Sequence, residues 1–136
     1  MKEMWNWMHI MITALGGWVG LFLGGWDAPL YALVMFVSID YITGVMCGII
    51  EKRLSSEIGF KGIMRKVAIF LLVGIGAVID QYLIKTGDVL RTAIIFYYAS
   101  NEGVSILENA TRLGLPVSPK LKGVLEQLKD DKGGAQ

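Results

Sequence analysis

Apolar residues in this chain run in long blocks, with polar residues confined to short breaks between them. The first block, about residues 5–25, carries Trp5, Trp7, Trp18 and Trp26 mostly toward its ends, where indole rings favour the headgroup region. A second, 29–50, follows at once; Asp27 can cap its start and Pro29 fits its first turn. It holds one charge, Asp40, and is long enough to cross a hydrocarbon core of about 30 Å. The stretch from Glu51 to Lys66 is strongly polar and reads as a loop. A third block, 67–84, again holds one charge, Asp80. After a short turn, 90–108 forms a fourth block of about 28 Å of helix, just enough to cross, though its polarity also suits a re-entrant or interfacial helix. From residue 116 to 136 the chain reads as a tail, with Leu121, Val124, Leu125 and Leu128 at amphipathic helical spacing after Ser118-Pro119.

The pattern predicts an all-α integral membrane protein: a membrane domain over 1–115 with four transmembrane helices, then a short amphipathic cytoplasmic helix. Lys2 is offset by Glu3 and the first block lacks a small-x-small end, so it reads as a retained span, not a signal peptide. Basic residues set the orientation. Lys52, Arg53, Lys61, Arg65 and Lys66 lie between blocks two and three, and Arg112, Lys120, Lys122, Lys129 and Lys132 lie at the end. Four crossings with both termini in the cytoplasm put all of them on one side, whereas three would split them.

The faces of these helices carry the candidate chemistry. Gly16, Gly20 and Gly24 repeat in steps of four, and Gly44 and Gly48 repeat the spacing in the second span, as in membrane helices that pack closely. Asp40, Thr43, Gly44, Cys47 and Gly48 share one side. A lone carboxylate in a bilayer costs about 2.5–3.5 kcal/mol on insertion scales, so Asp40 and Asp80 must find water, a proton or a partner. In the fourth block Asn101, Ser105, Glu108, Asn109 and Arg112 fall at steps of three or four, flanked by Glu102. Glu108 and Arg112 have the spacing of an ion pair. A helix with that stripe is compatible with lipid only if the stripe faces protein or water. These residues are the expected oligomer contacts or pore lining; each also has a plain reading as a buried interhelical hydrogen bond.

Composition narrows the function classes. The 136 residues are 54% hydrophobic and carry a formal net charge of +1, no electrostatic footprint for nucleic acid. Mean hydropathy is +0.52. One cysteine and one histidine exclude a disulfide framework and a Cys/His metal cluster. Neither a nucleophilic triad nor a phosphate-binding loop is present, and Asp80 lacks the glycine-rich setting of an intramembrane aspartyl protease. A small ion-coupled channel or transporter built around Asp40, Asp80 and Glu102 is the competing class.

The ordered set Asp40-Tyr-Ile-Thr-Gly44, Lys52-Arg-Leu-Ser-Ser56, Gly59-Phe-Lys-Gly62, Arg65-Lys66, Asp80, Asn101-Glu-Gly-Val-Ser-Ile-Leu-Glu-Asn109 and Gly114-Leu-Pro116 resembles the phage holin and toxin-secretion holin family. The resemblance implies a small protein of the bacterial inner membrane that needs no cofactor and performs no catalysis. It implies homo-oligomers that open large lesions, with an endolysin or a large toxin as released cargo. Met1 and Met4 flank Lys2 and Glu3, room for a second translation start of the kind some holins use to make an inhibitor, an antiholin. The five basic residues of 52–66 serve in this picture as a lipid-facing topology determinant.

Overall fold

The structure, a computed structural model, describes residues 1–133, with side chains described through residue 127. It is all-helical in this range. Helices α1 (Lys2–Phe22), α2 (Ala28–Ile50), α3 (Ser56–Val78), α4 (Val89–Arg112) and α5 (Pro119–Gly133) follow one another, and a π-helical segment, Ile79–Ile84, continues α3. Helix ends reflect local chemistry. Asp27 accepts from the Leu30 amide at 3.1 Å and Ser55 from that of Ile58 at 3.2 Å, each quenching one orphan donor. Helices α1, α2 and α4 all end in the same paired motif, with Gly25 donating to Gly20, Arg53 to Gly48 and Leu115 to Ala110. The left-handed residue is glycine at 24 and 114, but Lys52, with φ of 56°, after α2.

Helix α4 is the centre of the bundle and packs on α2, α3 and α5. The core is Leu23, Leu30, Leu33, Val37, Ile69, Val73 and Ile95. Gly76 lets α3 and α4 approach, because a Cβ there would stand 2.7 Å from Ile94 Cδ1. Helix α1 stays outside, with nearly every side chain exposed; it touches α3 where the Phe22 ring lies on Gly74. Helix α5 folds back along α4, with Leu125 against Gly103.

Several boundaries differ from those read off the hydropathy pattern. Helix α3 starts at Ser56, well before residue 67, so the loop is only the short stretch after α2, and Lys61, Arg65 and Lys66 are helical. The Ser55 cap, Glu57 in the first turn and a Glu57–Lys61 pair at 3.3 Å support helix through this polar stretch. The α1 helix stops at Phe22, so Gly24 is a left-handed cap residue beyond the helix, packed closely against Arg91 and Ala77. Of the other two glycines in that series, a Cβ at Gly16 would meet nothing within 4 Å, and Gly20 lies under the Trp26 indole, whose Nε1 donates to the Gly16 carbonyl at 3.2 Å. In α2, Gly48 faces Leu54 and Gly44 faces Asn109 of α4. Leu121 and Val124 remain half exposed on α5; Leu128 and Gly134 lie outside the described side chains and residues.

Among the described residues, two helices are long and apolar enough to cross a membrane: α2, and α3 with its π-helical continuation. Helix α4 is too polar for that measure and α1 is diluted by glycine, tryptophan and His9. Gly74→Leu is expected to displace Phe22 and free α1, read as faster proteolysis or hydrogen exchange of residues 2–22, because a Cβ at 74 overlaps the ring. Gly16→Leu, in open space, is expected to leave the same readout unchanged.

Candidate functional site

Two polar centres occupy the bundle, one at each end. The first joins α2, α3 and α4. Lys66 Nζ donates to Asp40 Oδ2 and to Glu102 Oε2, both at 2.7 Å, with all three side chains at most 16% exposed. Asn109 extends it: Nδ2 donates to Asp40 Oδ1 at 3.0 Å and to Thr43 Oγ1 at 2.9 Å, while its backbone carbonyl accepts from Cys47 Sγ at 3.4 Å. Arg112 then bonds Asn109 Oδ1 at 3.4 Å and reaches across to Glu51, at 2.6 Å. That hydrogen bond from Arg112 holds the half-buried Glu51 carboxyl below its ordinary range.

Asp40 and Glu102 thus share the single ammonium of Lys66. A cavity of about 360 Å³ opens beside them, bounded also by Tyr41, Arg65 and Ser105. The glycines of α3 make room there: Gly59 and Gly62 lie against the Tyr41 ring, whose hydroxyl donates to the Gly59 carbonyl at 3.4 Å.

The second centre gathers the opposite end. The Arg91 side chain, 1% exposed, donates through Nε to the Leu23 carbonyl at 2.6 Å, through Nη1 to Asp27 at 2.7 Å and through Nη2 to the Gly25 carbonyl at 2.9 Å. It thereby satisfies carbonyls at the end of α1 and ties them to the cap of α2. The Arg91 backbone amide donates to Asp80 Oδ2 at 2.7 Å and that of Leu90 to Oδ1 at 3.1 Å. Asp80 thus supplies the anion at the N-terminus of α4, a role that Asp88, at the cap position itself, does not fill. The hydrogen bond from Arg91 lowers the Asp27 carboxyl below its ordinary value, with burial opposing.

The expected polar set is therefore divided. Asp40, Thr43, Glu102 and Asn109 converge, with Ser105 on the adjoining cavity wall. Asp80 is 14 residues from Lys66 along the α3 axis, roughly 21 Å. Asn101 is half-buried outside the cluster. Glu108 is exposed and pairs with Lys122 of α5 at 3.7 Å; Arg112 pairs with Glu51 in place of Glu108. Lys52, Arg53, Lys61 and Arg65 are exposed, whereas Lys66 turns inward. Arg91, which reads in sequence as an ordinary turn residue, its partner Asp27, which reads there only as a helix cap, and Glu51 carry no mark of a site residue in the sequence. Lys66 was grouped with a basic loop; its four-residue helical spacing from Gly62 is the signal that places both toward the α2 face.

The model of the bacteriophage holin family matches residues 17–130. The chain belongs to that family. Relatives include the uncharacterised 14.9 kDa protein in the nagH 3′ region of Clostridium perfringens, 39% identical over 97% of this chain and 100% of its own length. An uncharacterised protein of Listeria innocua is 41% identical over 87% of this chain and 84% of its own. The uncharacterised Bacillus subtilis protein YtkC is 31% identical, covering 82% of each. No solved structure matches. The family match begins inside α1, so most of the matched region is the part of the chain that the two polar centres organise.

Two measurements test the centres of this holin-family bundle. Lys66→Met leaves two buried carboxylates facing each other and is expected to destabilise the detergent-extracted chain by about 3–5 kcal/mol; adding Glu102→Gln should recover part of that loss. For Asp27, whose folded value is depressed below 3.8, the contribution is complete above about pH 4 and disappears as pH falls through the folded value. Its side chain is 44% exposed, so screening limits the effect to about 1 kcal/mol. Thermal unfolding between pH 6 and pH 3 should show this loss in the wild type and not in Asp27→Asn.

Proposed function

We propose that this chain is a holin: it accumulates in the bacterial cytoplasmic membrane, oligomerises and opens lesions wide enough for a folded endolysin or a large toxin. In this reading α1 and α4 also cross, both termini lie in the cytoplasm, and no step is catalytic. The observation that carries it is the treatment of the polar stripe of α4. A holin must be soluble in lipid as a single copy and later present polar surface to water. Here Glu102 and Asn109 are already paired with Lys66, Asp40 and Thr43 inside the chain. Those groups can face water or a neighbouring chain once the helices separate, with Asn101, Ser105 and Glu108 on the same helix. Gly16 and the open flank of α1 leave a surface for side-by-side contact, and an antiholin made from Met4 would differ only there.

The buried charged triad is also what a small ion-coupled channel or transporter would use, and this is the second reading. Inducible expression with a co-expressed cytoplasmic muralytic enzyme separates the two. The expected result is abrupt lysis after a delay with escape of the enzyme; leakage of ions without protein release favours the channel. Glu102→Gln, which weakens the hold on α4, is expected to shift the time of lysis by several minutes or more. Unchanged timing for this variant would remove the triad from the trigger.

A further inference from the structure

Asp40 and Glu102 differ in the donors that reach them. Asp40 accepts from Lys66 Nζ on Oδ2 at 2.7 Å and from Asn109 Nδ2 on Oδ1 at 3.0 Å, so both of its oxygens are bonded. Glu102 accepts from Lys66 alone, on Oε2 at 2.7 Å. The two carboxyl groups also lie within hydrogen-bonding reach of each other. Ionised carboxylates only accept, so a hydrogen bond between them contains a proton that belongs to one of the two. Donors favour the charged form of the group they reach, and two carboxylates at one site resist double ionisation. Asp40, with the larger set of donors, is the ionised partner, and Glu102 keeps the proton. The cluster then holds one anion and one cation, the balance that a bilayer favours.

Few other charges bear on this pair. Among the described residues, the charged groups that face Glu102 are Asp40 from α2 and Lys66 from α3. Tyr41 and Arg65 stand on the wall of the adjoining cavity, α5 directs Lys122 to Glu108, and the π-helical segment meets α4 at its far end through Asp80. The same cavity reaches Glu102 and gives its carboxyl an opening for proton exchange. We propose that Glu102 is a proton-binding site: at neutral pH its carboxyl is neutral and donates to Asp40, and loss of that proton sets two negative charges side by side and loosens α4 from α2. The proposal rests on the hydrogen bonds of the junction and not on lesion formation, so a chain that fails to lyse cells can still carry it.

The test is infrared spectroscopy of the full chain in liposomes, with isotope-labelled carboxyl carbons in either glutamate or aspartate. At neutral pH the carbonyl band of a protonated carboxylic acid is expected. The glutamate label should shift it, the aspartate label should leave it in place, Glu102→Gln should remove it and Glu108→Gln should keep it. Thermal unfolding in mild detergent gives a second readout. The unfolded chain ionises Glu102 near the ordinary value of about 4.3, so a proton held only in the folded state makes stability fall as pH rises. The wild-type midpoint is expected to drop by several degrees between about pH 6 and pH 8 relative to that of Glu102→Gln, which has no proton to lose. Absence of the band from the wild type at neutral pH, its shift by the aspartate label, its survival in Glu102→Gln, or equal pH dependence of the two midpoints overturns the proposal.

Discussion

One ammonium between two carboxylates holds the lipid-embedded part of this chain together. Lys66 of α3 reaches Asp40 of α2 and Glu102 of α4, so three helices meet at a single nitrogen. In water such a triad would contribute little, because screening and competing hydration weaken each pair. In a bilayer the alternative to pairing is a charge facing hydrocarbon, and that difference makes the contact decisive. The helix that most needs it is α4. Its Glu102 and Asn109 turn toward α2 and α3, and Asn109, about two turns beyond Glu102, extends the same arrangement through Asp40 and Thr43.

The far end of the bundle is governed by a related constraint, the unsatisfied backbone groups at helix ends. Arg91 collects carbonyls left by α1 and the cap of α2, and Asp80 covers the first amides of α4. The π-helical segment is what brings Asp80 there, since its wider turn ends α3 at a left-handed Lys85 and returns the chain toward α4. Gly24 serves both needs at once: its φ of 88° closes α1, and the missing Cβ leaves room for the Arg91 side chain. Charge at this end therefore fixes helix ends, while charge at the Lys66 level joins helix faces.

These two kinds of contact differ in what they join. The Arg91 clamp and the Asp80 cap are made largely to backbone groups at helix ends, across residues far apart in sequence in the case of Arg91. The Asp40–Lys66–Glu102 junction joins three helix faces through charged side chains beside a cavity. Helix α1 is anchored at its C-terminal end, by Phe22 on Gly74, Leu23 in the core and Arg91 on the Leu23 carbonyl, and the rest of it is exposed.

Much of the fold was legible in order and spacing. The second span, its Asp27 cap and the continuous apolar run into Ile84 follow from hydropathy and capping rules, because those depend on neighbours within one turn. The polar face of α4 was equally legible, since periodicity places Asn101, Ser105 and Asn109 without knowledge of any partner. The start of α3 was not, because a hydropathy reading treats Lys61, Arg65 and Lys66 alike and takes charge for loop. Residue type and spacing along the chain settle which residues cannot face lipid. Which of them meet was decided only by the tertiary structure, because a charge in a membrane requires a partner but does not name one. Lys66 rather than a neighbouring cation joins Asp40 to Glu102, and Asp80 turns to the start of α4, because helix rotation and the π-helical segment set those distances.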